Sequence, residues 1–158
     1  MATDTTYSAG KIAYLTKSDT ICFFTDTSIK YTQREPFAQL MVRDAMKEYT
    51  HLLGLKVMAA PPKSGDVHLI ASNDEKEIGG PGEKIDADVI NRGVNYFRKE
   101  KEVVYVTMPL RDRNGDVVAS VRFVMKGFAG ETEQAALVRA TPILKKMQQR
   151  AAAADSLF

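Results

Sequence analysis

Apolar and polar positions alternate with period two over residues 103–125, VVYVTMPLRDRNGDVVASVRFVM, and the alternation breaks only around Asn114-Gly115. Asn-Gly suits a two-residue type I′ turn, in which both positions need positive φ, so the stretch predicts two long strands and a tight hairpin. Pairing outward from that turn sets Leu110 opposite Ala119, Met108 opposite Val121, Val106 opposite Phe123 and Val104 opposite Met125. This face is wholly apolar. The other face sets Tyr105, Thr107, Pro109 and Arg111 against Val124, Arg122, Ser120 and Val118. A sheet apolar on one side and polar-aromatic on the other is either half solvated or floors a pocket.

A period of three to four residues replaces the alternation elsewhere. Thr32 and Glu35 stand in capping-box spacing with Pro36 in the first turn, and Phe37, Leu40, Met41, Ala45, Tyr49 and Leu52 form one stripe, which predicts a helix stopped at Gly54. Strands are expected at Leu55 to Ala60 and Asp66 to Ser72, joined by a turn at Pro61 to Gly65. Gly79 to Gly82 reads as a loop, and Asp86 as the cap of a short helix that runs through Arg92 and ends at Gly93. A strand from Val94 to Arg98 leads into the long hairpin. The last helix starts near Gly130-Glu131-Thr132, with Ala136, Ala140, Ile143, Leu144 and Met147 as its stripe and a kink at Pro142. Two short strands, Lys11 to Thr16 and Thr20 to Thr25, open the chain. Antiparallel strands in runs, with helices on the faces, make an α+β domain with a central antiparallel sheet of about five strands.

Length and composition narrow the class. The 158 residues fit a single domain, with 1–31 as an N-terminal extension and 32–150 as the core. Hydrophobic content of 44% and charged content of 27% are those of a globular chain, and 22 basic against 20 acidic residues, mixed along the sequence, give no electrostatic ground for nucleic acid. No apolar run is long enough to span a bilayer. The start, MATDTTYSAG, lacks the basic and apolar regions of a signal peptide. One cysteine, Cys22, excludes an intrachain disulfide and reads as a buried thiol.

Catalytic and metal chemistry find little support. His51 and His68 are the only histidines, and neither has a second ligand at metal spacing. Gly79-Gly80-Pro81-Gly82 matches no phosphate-loop spacing. No serine sits in a nucleophile elbow, and the acids Asp74, Glu75, Glu77, Asp86 and Asp88 fall in and around loops, where solubility is the simpler role. Neither a cofactor nor a metal is expected, nor an enzyme. The polar strand face remains: Tyr105, Thr107, Ser120 and Arg122, which Tyr96 and Arg98 on the neighbouring strand can join. An arginine at the centre of a strand of Val, Phe and Met needs a carboxylate, from the protein or from a ligand. Tyr96, Arg98, Tyr105, Thr107 and Arg122 are the candidate ligand-binding residues.

From Val67 to Met147 the chain resembles the Cache sensor domains, PAS-like modules usually found outside the bacterial cytoplasm. The passages that carry the resemblance are His68-Leu69-Ile70-Ala71-Ser72-Asn73 followed by Glu77-Ile78-Gly79, the short helix at Asp86 to Arg92, and Met108-Pro109-Leu110-Arg111-Asp112 with Asn114-Gly115 and Val117-Val118-Ala119. The resemblance implies a PAS-like fold and a non-catalytic, stand-alone sensor-like domain for a small polar or carboxylate-bearing metabolite. It also implies a periplasmic or secreted location and a role in signalling. The alternative is a protein–protein interaction module of the same fold, with a homodimer or another protein as partner and no small ligand.

Overall fold

The computed structural model describes residues 36–60 and 65–153. The two strands expected before residue 26, the cap at Thr32 and Glu35, and Cys22 lie outside these residues. Helix α1 (Phe37–Glu48) is followed by strands β1 (Leu52–Ala59) and β2 (His68–Ser72), a 3-10 turn at Glu75–Glu77, and helix α2 (Lys84–Arg92). Strands β3 (Tyr96–Glu100), β4 (Val103–Arg111) and β5 (Val117–Lys126) then lead to helix α3 (Glu133–Ala152). One five-stranded sheet results, in the order β2-β1-β5-β4-β3, with every neighbouring pair antiparallel. The hairpin strand β5 is central.

The alternating face behaves as its residues require. Val104, Val106, Met108, Leu110, Ala119, Val121, Phe123 and Met125 are buried in one core with Met41, Val42 and Ala45 of α1 and Ala140, Ile143 and Leu144 of α3. Burying these side chains is the main driving force of the fold. Across the outer edges of α1 and α3, Lys146 reaches Glu48 at 2.6 Å and Arg150 reaches Asp44 at 2.9 Å. Both pairs are exposed, so they add little. Gln39 is buried, although its residue type gave no sign of it. Its side-chain amide donates to the Ser72 carbonyl and accepts from the Ser72 N–H, both at 2.9 Å, which ties α1 to the end of β2.

The helix from Pro36 is shorter than its stripe implies. Tyr49 leaves helical geometry at φ −108° and ψ 83° while its N–H still reaches Ala45 O at 2.8 Å, and Leu52 already begins β1. Gly54 is therefore a strand residue and not a helix stop. The β1–β5 register slips between Leu52 and Gly54, and a Cβ at Gly54 would sit 3.2 Å from Asn73 Oδ1 and 3.4 Å from Val124. A small residue lets the backbones approach at that irregularity. Leu40, placed on the stripe, faces outward at 38% exposure, while Ala38 and Val42 are the buried neighbours.

All four expected hairpin pairs form, yet the turn that sets them is different. Asn114 does not have positive φ, so the loop is not type I′. Gly115 N donates to Asp112 O at 3.0 Å, and Asp112 Oδ1 accepts from the N–H groups of Asn114 and Asp116 at 2.8 and 3.0 Å. Asp112 at the first position of the turn, with Gly115 at φ +89°, builds a three-residue loop. Arg111 pairs with Val117, and a bulge before Leu110↔Ala119 restores the register that a two-residue turn would have set.

The remaining boundaries move by a residue or three. α2 begins at Lys84, so Asp86 lies one turn inside it. Its Oδ2 accepts from the Glu83 N–H at 2.8 Å. Gly93 closes the helix in the left-handed region at φ 66°, as expected. Thr132 caps α3 by accepting from Ala135 N at 3.2 Å, and the helix continues through Pro142 to Ala152.

Candidate functional site

Helix α2 covers the polar face of the sheet, and that decides whether the face is solvated. Its Val89 and Asp86 have no exposed surface, and on the sheet beneath them Ser120 is fully buried and Thr107 is 4% exposed. The short helix lies there because Asp86 projects from its first turn onto β5. Arg122 Nη2 donates to Asp86 Oδ1 at 2.8 Å and Oδ2 at 2.9 Å, and Ser120 Oγ donates to Oδ1 at 3.2 Å. With the Glu83 N–H on Oδ2, Asp86 accepts four hydrogen bonds, which a buried carboxylate needs. Glu83 Oε1 lies 3.1 Å from the same Arg122 nitrogen. The arginine in the strand has thus found its carboxylate within the protein.

The five candidate residues meet at one place. Tyr96 is in register with Thr107, Thr107 with Arg122, and Arg98 with Tyr105. Tyr96, Arg98, Tyr105, Thr107 and Arg122 border a single cavity of about 30 Å³, closed by Glu83, Ile85 and Phe97. That volume holds about one water molecule, whereas a metabolite pocket needs hundreds of cubic ångströms. Arg98 stacks over the Tyr105 ring at 4.5 Å from its centroid, a cation–π contact on the open side of the site, and lies 3.6 Å from Glu100.

The Tyr96 hydroxyl donates to Asp88 Oδ2. That bond holds Asp88 below its usual 3.8, with help from Arg92 and against partial desolvation, and it pushes the Tyr96 phenol above its usual 10.0. A lowered Asp88 contributes stability that is present above pH 3.8 and lost as pH falls through the lower folded value. A raised Tyr96 contributes stability that is fully present below pH 10.0 and lost as pH rises through the higher folded value. Tyr96→Phe is therefore expected to flatten both the acid and the alkaline limbs of a plot of melting temperature against pH. Limbs of unchanged steepness would mean that the bond is not kept in solution.

Asp86 and Glu83 are the residues that sequence reasoning missed. Asp86 was read as a cap and, with Asp74, Glu75, Glu77 and Asp88, as a solubilising acid. Asp86 does accept the Glu83 N–H as a cap, but it is also fully buried, whereas Glu75 (with Arg43 at 2.7 Å), Glu77 (with Lys56) and Asp88 (with Arg92 at 3.1 Å) lie at the surface. The available signal was the strand arginine itself: once it must have a carboxylate, the acids at the start of the helix facing that strand are the nearest supply.

The Gly79, Gly80 and Gly82 amides donate to the carbonyls of Leu69, Glu77 and Val67 at 2.8 to 3.1 Å, so none is turned to an anion. Among the described residues no three His, Cys, Asp or Glu side chains gather as a metal site, and no helix is long and apolar enough to cross a membrane.

No family model matches the chain, and no curated protein does. Solved structures do match. A GAF domain from A. aeolicus in an inactive state gives a TM-score of 0.51 at 11% identity, covering 77% of this chain and 83% of that one. An IcIR transcriptional regulator from Alicyclobacillus acidocaldarius gives 0.50 at 10% identity over 74% of this chain and 66% of that one. The GAF domain of Acinetobacter phosphoenolpyruvate-protein phosphotransferase gives 0.49 at 15% identity over 77% and 85%. Such identities speak to fold alone. The five-stranded antiparallel sheet with its three helices is the α+β fold that GAF domains share with the PAS-like modules.

Proposed function

We propose that the protein is a non-catalytic sensor-like domain that binds a small polar, carboxylate-bearing metabolite between α2 and the β3–β4–β5 face. One observation carries this reading. Two tyrosines, a threonine and two arginines, three of them placed by strand alternation and Tyr96 and Arg98 by the neighbouring strand, border the same cavity under one helix. Arg122 contributes most to it. Its side chain is 12% exposed, and its hydrogen bonds to protein all leave from Nη2. Among the described residues Nη1 and Nε have no acceptor, and a guanidinium offers five donors. The cavity's size means that a metabolite enters only as α2 or β3 gives way, which is the coupling a sensor needs. Placement as a Cache domain in particular, with export from the cytoplasm, rests on the sequence passages alone and belongs to the same proposal.

A thermal-shift screen against amino acids and small carboxylates tests it. A ligand at a hundredfold excess over its dissociation constant adds about 2.7 kcal/mol of apparent stability, well within reach of such a screen. Silence across the screen, together with a concentration-dependent mass, would remove the ligand reading in favour of an interaction module.

A further inference from the structure

We infer that Glu83 is a built-in competitor of the ligand, seated on Arg122 where a small monocarboxylate docks and displaced when it does. The inference rests on the ligand reading above and narrows it. Two acids share one nitrogen of Arg122, and they are held very differently. Asp86 has no exposed surface, and its two oxygens also accept from Ser120 Oγ at 3.2 Å and Glu83 N at 2.8 Å. Glu83 is 55% exposed; it meets Arg122 at one contact of 3.1 Å and, among the described residues, otherwise accepts only from the Asp86 N–H, in the capping box that starts α2.

Asp86 alone neutralises Arg122, so the second carboxylate lies beside a like charge, which disfavours it. An ion pair with one exposed partner contributes little, and Glu83 can turn to water for the further loss of its one cap bond, while Asp86 stays. An incoming carboxylate would take the place of Glu83 at Nη2 and gain the neighbouring Nη1 or Nε donor, completing the two-point fork that suits it. The fixed Asp86 charge also selects the ligand class. A monoanion replaces one negative charge by another, whereas a dianion such as phosphate adds to the repulsion from Asp86. The cavity of about 30 Å³, enlarged by the volume Glu83 leaves, sets a small size.

The test uses the full chain and acetate, the minimal carboxylate, titrated by amide and arginine Nε–H chemical shifts, with neutral acetamide as control. Acetate is expected to shift resonances of residues 83–86, 96–98, 105–107 and 122, and acetamide to leave them in place. Glu83→Gln keeps the shape and removes the competing charge, so its acetate dissociation constant is expected to fall roughly two- to fivefold, the range an exposed pair can contribute. Equal or weaker acetate binding in Glu83→Gln would overturn the competitor role and leave the ligand reading in place. Acetate that moves these resonances in neither protein would overturn both, as would acetamide acting as well as acetate.

Discussion

Phe123→Ala is expected to destabilise the protein by about 3–5 kcal/mol, read from the urea midpoint at constant slope. Phe123 heads the fully buried side chains, at 0% exposure. It lies on the central strand, in register with Leu55 of β1 on one side and Val106 of β4 on the other. Its ring therefore faces the core where α1 and α3 converge on the sheet, and no surface loop can collapse into the space it leaves. The cost combines the lost burial of the ring with the cavity term. Val138→Ala is the control: Val138 projects from α3 at 62% exposure, and its loss should stay within about 0.5 kcal/mol. A Phe123→Ala loss under about 1 kcal/mol would mean that the two helices do not hold the sheet as described.

The hairpin shows what the sequence could and could not reveal. Alternation over nine or ten residues excludes any slip by one residue, which would turn every side chain over. Counting outward from Asn114-Gly115 chose among the registers that remain, and the four core pairs were legible although the turn has another type. The turn itself was misread, since Asn-Gly favours type I′ locally while Asp112 offers two backbone N–H groups an acceptor two and four residues back. The bulge at Leu110 absorbs the difference. Helix ends followed the same logic. Gly93 was read correctly because a left-handed cap is a local demand. Gly54 was misread because its demand comes from Asn73 and Val124, distant in sequence.

The site divides along a similar line. Strand alternation placed Tyr105, Thr107 and Arg122 together, and Tyr96 and Arg98 were expected to join them from the neighbouring strand, whose register the structure supplies. The acids could not be placed that way. Asp86 and Glu83 come from a helix whose position over the sheet is set by tertiary packing, and a loop acid and a buried acid look alike in sequence. The charge demanded by Arg122 was legible, but its source was not.

Arg122→Ala is expected to cost about 3–5 kcal/mol, because it strands the Asp86 carboxylate in a site with no exposed surface. Reading Arg122 as a ligand residue alone would leave the fold nearly intact on its removal, since no apolar group is lost. The pairing with Asp86 reverses that expectation. Ser120 Oγ and Glu83 N would be the donors left to a buried anion, and the link between α2 and β5 would go with the guanidinium. For a domain of this size the loss corresponds to roughly 10–20 °C in melting temperature. Removing both charges separates a stranded charge from a lost contact. Asp86→Leu combined with Arg122→Met should recover much of the stability, since apolar side chains of similar volume can replace a buried ion pair at little cost. Hydrogen exchange of the α2 amides should quicken in Arg122→Ala and return towards wild type in the double variant. A single variant that melts within a degree or two of wild type would show that water already reaches Asp86, and α2 would then be no more than a loosely laid cover on the sheet.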